Sequence, residues 1–186
     1  MNQVDKHHNS MHGLKWGLII AAVYMVFLFL RFRMGAENII YMSVFTILGF
    51  IAVMILLFFT GYTRRKELGG FIELRDAFQT MFVAVVIYEF AYALFNFIYL
   101  KYVDPHFFEK VRLSTEELLQ RTGTSQTEID KQLEKMNVDT SQQTGASLFM
   151  NYLSGLAVSG VFALIFALIL KKKPEPFDQS DSFLQS

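Results

Sequence analysis

The chain has 186 residues, balances 17 Lys and Arg against 17 Asp and Glu, and contains no cysteine. Zero net charge leaves no basic face of the kind that nucleic acid requires, and the lack of cysteine excludes disulfides, iron–sulfur clusters and thiolate chemistry. Hydrophobic residues make up 53% of the chain, a little above the ~45–50% of a soluble domain, but charge vanishes from four stretches and crowds between them.

About 20 predominantly apolar residues cross a hydrocarbon core of roughly 30 Å. Four segments meet this and predict an all-α integral membrane protein with spans over residues 13–32, 38–62, 77–100 and 147–170. Residues 1–12 read as a polar, mobile N-terminal tail. His8 and His12 stand one helical turn apart there, but a structural or catalytic metal site needs three or four ligands, so no metal site is predicted. The first span is the shortest, with a charge-free centre from Trp16 to Leu30. Lys15 and Arg31 flank it and lengthen it by snorkelling to the interfaces. Arg31-Phe32-Arg33 is a poor approach to a small-residue cleavage site, so the segment is predicted to be a retained span rather than a signal peptide.

Between the second and third spans, Gly69-Gly70 suits a left-handed helix cap. Glu73 and Asp76 suit the positive end of the third span's dipole. Beyond that span, Asp104-Pro105 disfavours continued helix and opens the long loop, residues 101–146. The sequences Ser114-Thr115-Glu116-Glu117 and Thr124-Ser125-Gln126-Thr127-Glu128 each resemble a capping box. They predict two short amphipathic helices, one with Leu118 and Leu119 and one with Ile129, Leu133 and Met136 on a single face. Gly123 divides them, and residues 139–144 read as a polar linker. After Lys173, Pro174 and Pro176 stop the helix, and residues 171–186 read as a disordered cytoplasmic tail.

The basic clusters Arg64-Arg65-Lys66 and Lys171-Lys172-Lys173 lie on the same side as both termini. The positive-inside bias then predicts cytoplasmic termini and an external long loop. Arg31 and Arg33, on the other side, argue mildly against this.

Lipid supplies no hydrophobic drive between helices, so small residues mark close contacts. Gly13, Gly17 and Ala21 form one stripe. Gly155, Ser159, Ala163 and Ala167 form another, and Ala77, Ala84 and Ala91 recur along the third span. The second span has few small residues and is predicted to be the most lipid-exposed.

Glu89 is the only carboxylate inside an apolar run. An ionisable group at that depth costs roughly 2.5–3.5 kcal/mol by insertion scales and by default marks a functional site. Asn96 shares its face, with Tyr92 adjacent, so both are candidate partners. Tyr24, Ser154 and Ser159 are further groups within reach from other spans. Glu89, Asn96 and Tyr92 thus form the candidate intramembrane polar site.

No phosphate loop, G-x-S-x-G or H-E-x-x-H occurs, so no catalytic residue and no cofactor are predicted. His106, beside Asp104 and Pro105, has no nucleophile near it in sequence. The leading expectation is a non-enzymatic structural or interaction role. One rival is a small oligomeric proton-coupled transporter working through Glu89. Another is an envelope sensor acting through the 101–146 loop. Transport would require Glu89 to stand in a polar, water-accessible cavity, whereas an interaction role would leave it dry and bonded to a neighbour. Expected partners are membrane lipid and a second copy or another membrane protein.

Two sequence groups carry a family resemblance. The first is Arg65-Lys66-Glu67-Leu68-Gly69-Gly70-Phe71-Ile72 with Asp76-Ala77-Phe78. The second is Phe97-Ile98-Tyr99-Leu100-Lys101-Tyr102-Val103-Asp104-Pro105. From the first span to Lys171 the chain resembles the domain of unknown function 4199 family of four-span bacterial membrane proteins. The resemblance implies a bacterial inner-membrane protein and brings no activity, cofactor or catalytic residue with it.

Overall fold

The computed structural model describes residues 3–135 and 144–172. Its helices are α1 (Gln3–Gly35), α2 (Ile39–Glu67), α3 (Leu74–Ile98), α4 (Phe107–Arg121), α5 (Gln126–Lys135) and α6 (Gly145–Leu170). Four are long and apolar enough to cross a membrane: α1, α2, α6, and α3 together with the turn that follows it. The chain is an all-α integral membrane protein. These segments run 26–30 residues, or about 39–45 Å at 1.5 Å per residue. That exceeds the ~30 Å hydrocarbon core, enough to cross it upright or tilted.

α3 is the hub. It packs on α1, α2 and α6, while α1 also packs on α2, and α6 also packs on α2. α1 and α6 therefore flank α3 on different sides. The small-residue stripes of both flanking helices turn towards this hub. At Gly17 an added Cβ would stand 3.0 Å from the Ala84 Cα and 2.9 Å from the Ile87 Cβ, so the two backbones nearly touch. Ala77, Met81, Ala84 and Val85 are fully buried, as are Ala163 and Ala167 opposite. α2 buries one narrow row, including Gly49, Val53, Leu57 and Gly61, and turns Ile47, Ile51, Ile55 and Phe59 outward.

The end of the bundle where α1 begins and α6 finishes, the terminal end, is closed by polar bonds. Residues 3–12, expected to be a mobile tail, are the first turns of α1. Asn9 is buried: its Nδ2 donates to Asp76 Oδ1 (3.0 Å) and its Oδ1 accepts from Arg64 Nε (2.8 Å). His12 Nδ1 lies 3.1 Å from Glu67 Oε2, and its Nε2 lies 3.1 Å from Thr63 Oγ1. These partners come from α2 and from the start of α3, which is why a polar segment continues as helix. Gly69 and Gly70 both take positive φ, 76° and 93°. The Gly70 amide caps the Arg65 carbonyl at 3.0 Å, and Arg65 Nε donates to the Gly70 carbonyl at 2.8 Å. The turned chain then exchanges two backbone bonds between Ile72 and Lys172, at 2.9 and 3.0 Å, which tie the α2–α3 turn to the end of α6.

The opposite end carries the α4–α5 hairpin. α3 leaves its helix through one π-helical turn, Tyr99–Val103, closed by Asp104 N donating to the Tyr99 carbonyl (2.8 Å). Phe107 then inserts beneath Phe32 and Tyr99. Phe32 stacks on Tyr99 at 4.3 Å between centroids and meets Phe107 edge-on at 4.8 Å. This anchor explains a departure from expectation. The first capping sequence does not start a helix, because α4 begins two turns earlier, at Phe107. Ser114 instead accepts from the Ile39 backbone amide at 3.1 Å. α5 packs back on α4 through buried Ile129 and Leu133. Met136, most of the 139–144 linker and the tail from Lys173 lie outside the described residues. Thr144 is described, and caps α6 reciprocally with Ser147.

Candidate functional site

Glu89 sits near the middle of α3 on the side that α6 covers, and only 7% of it is exposed. Ser159 Oγ donates to Glu89 Oε1 at 2.6 Å. One turn earlier on α6, Gly155 leaves the space that the carboxyl fills. A Cβ there would fall onto Glu89 Oε2. The carboxyl therefore lies inside the α3–α6 contact, with one oxygen bonded and the other against glycine backbone. Tyr88, 1% exposed, is its neighbour on α3. The Tyr88 hydroxyl is buried and has no partner at hydrogen-bond geometry. Tyr24 of α1 closes the other side, edge-on to Tyr88 at 6.5 Å and stacked on Tyr92 at 5.3 Å.

The three residues named from sequence do not form one hydrogen-bonded group. Asn96 turns back onto its own helix, its Nδ2 donating to the Tyr92 carbonyl at 2.8 Å. Tyr92 gives its ring face to Tyr24. The partner of Glu89 comes from α6 instead, from the small-residue stripe itself. Sequence reasoning named Ser159 as within reach. It missed Tyr88, whose only sequence signal is its position beside Glu89.

Above this contact, towards the hairpin end, α3 and α6 part around a cavity of about 690 Å³. Arg31, Asn96, Asn151 and Ser154 line it, with Leu100 and Phe108 among its apolar walls. Gly155 belongs to its lining too, so its floor lies directly over the Glu89 carboxyl. Arg31 entered the sequence analysis as a flanking charge and in the orientation argument, not as a site residue. The overlooked signal is its spacing: seven residues after Tyr24, it shares the face of α1 that meets Tyr92 on α3. Among the described residues, no cluster of three or more His, Asp or Glu side chains is placed to hold a metal ion.

The family profile described as "Protein of unknown function (DUF4199)" matches residues 15–172. No curated protein and no solved structure matches the chain.

Proposed function

The chain belongs to the family of proteins of unknown function DUF4199, and on that premise we propose that it is a non-enzymatic helix-bundle protein with a structural or interaction role in a bacterial cytoplasmic membrane. The observation that carries this reading is the Ser159–Glu89 bond. A proton-carrying carboxylate needs water or a relay of titratable groups on both sides. Glu89 borders the polar cavity on one side only, with Gly155 between them, and is held by a hydroxyl at 2.6 Å. Below it the contact continues through Ala84, Met81, Ala163 and Ala167, all fully buried. An intramembrane carboxyl so placed fastens two helices, as polar side chains between membrane helices do.

Two further features support the role and its setting. Both ends of the bundle are locked, by the Asn9–Arg64–Asp76 bonds and the Ile72–Lys172 pairing at one end and by the Phe32–Tyr99–Phe107 cluster at the other. A rocking transporter would need at least one of them free. Arg64, Arg65, Lys66, Lys171 and Lys172 all stand at the terminal end, which supports cytoplasmic termini. The long rows of outward-facing Ile and Phe on α2 are available to lipid or to another membrane protein.

Proteoliposomes holding the full chain test the reading. The expected result is no Glu89-dependent proton flux under an imposed pH gradient. A flux that Glu89→Gln abolishes, while leaving the protein folded, would overturn it.

A further inference from the structure

We propose that the cavity between α3 and α6 at the hairpin end binds one anionic phospholipid, with its phosphate seated on Arg31. Three observations converge. The first is an unfilled set of donors. Arg31 Nε is buried and has no hydrogen-bond partner, and its guanidinium faces no carboxylate among the described residues; its recorded neighbour is the Phe32 ring, 5.6 Å away. Asn151 and Ser154 line the same cavity from α6 and are exposed there. Within the described structure neither side chain has a hydrogen-bond partner. Polar groups in a bilayer are ordinarily satisfied within the protein, so three unpartnered donors around one cavity leave a place for an acceptor.

The second observation is the sign of the site. Its lining combines one cation with the amides of Asn96 and Asn151 and the Ser154 hydroxyl, and includes no Asp or Glu. Glu89 lies beyond the floor, its Oε1 accepting from Ser159 and its Oε2 packed against Gly155. An anion is therefore matched and a cation is not. Basic pockets between membrane helices seat anionic headgroups on the cytoplasmic side, and the same charge pairing applies to this one at the hairpin end.

The third is position. On α6 the lining extends from Ser147 to Val158, about 16 Å at 1.5 Å per residue, or close to one leaflet of a ~30 Å core. Arg31 stands within one turn of the end of α1, at headgroup level. Phe97, Leu100, Leu148 and Val158 provide apolar walls that acyl chains can follow. A soluble phosphate would fill only the mouth of such a space, whereas a phospholipid would fill its depth.

The test uses the purified full chain in neutral detergent, with thermal unfolding followed against added phosphatidylglycerol, phosphatidylcholine or glycerol 3-phosphate. Phosphatidylglycerol should raise the midpoint of the wild type in a saturable way, and neither phosphatidylcholine nor glycerol 3-phosphate should match it. Arg31→Gln should weaken the phosphatidylglycerol response at least tenfold. Arg33→Gln, an equal charge change at an exposed position outside the cavity, should leave it intact. Asn151→Leu, at an exposed site on α6, should weaken the response without loss of fold and is the second variant should Arg31→Gln misfold. An undiminished response in Arg31→Gln, or in Asn151→Leu, would overturn the proposal. Equal losses in Arg31→Gln and Arg33→Gln would reduce the effect to surface charge, which also overturns it. An equal response to glycerol 3-phosphate would replace the lipid with a soluble anion. Glu89→Gln should keep the full response, so failure here and failure of the fastening role are separable.

Discussion

Ser159 on α6 and Glu89 on α3, 70 residues apart in sequence, share a buried hydrogen bond of 2.6 Å near the middle of both spans. It joins two helices that otherwise meet through apolar groups: Met81, Ala84, Ala163 and Ala167, the Phe82 ring against Gly160, and an edge-on Phe90–Tyr152 pair. A single polar bond among such surfaces sets which turn of α6 faces which turn of α3. The following outcomes are expected on that basis.

Glu89→Gln keeps an acceptor for the Ser159 hydroxyl and a side chain of the same length. Its stability in detergent should stay close to that of wild type and above that of Glu89→Leu. Glu89→Leu loses the acceptor and leaves Ser159 unpaired, so its unfolding free energy should fall by about 1–3 kcal/mol, with a lower midpoint. A Leu variant as stable as wild type would remove the fastening role.

Gly155→Ala should destabilise the bundle more than a glycine-to-alanine change in an open helix, where alanine is the better former by about 1 kcal/mol. The added Cβ collides with Glu89 Oε2, and overpacking of this kind costs typically 1–3 kcal/mol. Combining it with Glu89→Ala should relieve much of the loss, since the obstructing oxygen is gone. Ser159→Leu, which inserts bulk at a 7% exposed position in the same contact, should lower the midpoint as well.

The terminal-end network separates a strong bond from a weak one. Asn9 is 1% exposed and accepts from the buried Arg64 Nε at 2.8 Å. Asn9→Leu strands that donor and should cost about 1–3 kcal/mol. Glu67 meets the same Arg64 at 3.1 Å, but its side chain is 52% exposed. Glu67→Gln should cost less than about 1 kcal/mol, as solvent-screened ion pairs do. Chemical unfolding of both variants in detergent gives the comparison.

The spans were legible because each is an apolar run long enough to cross a bilayer, with Glu89 the one carboxylate inside, and a helix satisfies every backbone group within its own segment. The stripes Gly13-Gly17-Ala21 and Gly155-Ser159-Ala163-Ala167 were legible because close helix contact demands small residues at a fixed period. What they contact was not, since periodicity carries no partner information; both meet α3. The depth of Glu89 could be read, but not its bond to α6 in preference to Asn96. An Asn on a helix can turn back to the carbonyl four residues earlier, and Asn96 does so. The early start of α4 was hidden because Phe107 is fixed by Phe32, 75 residues away, rather than by a local cap. The helical state of residues 3–12 was hidden for the same reason, Asn9 and His12 finding their partners on α2 and α3. The cavity rests on where α3 and α6 diverge, which no sequence spacing encodes.

Orientation is open to a direct check. Reporter fusions at Ser186 and within Gly123–Ser125 should place the first in the cytoplasm and the second outside, following the basic residues at the terminal end. A signal from the Ser186 fusion on the outer side would reverse the assignment.

The central claim is that Glu89 fastens α3 to α6 through Ser159, and a double-mutant cycle measures that bond. Glu89→Leu, Ser159→Ala and the double variant are unfolded in the same detergent as the wild type. The account predicts that the double loses less than the sum of the singles, with a coupling of about 0.6 kcal/mol and no more than about 1.7 kcal/mol, the average and the maximum for hydrogen bonds between membrane helices. Strictly additive losses, with a coupling indistinguishable from zero, would contradict it.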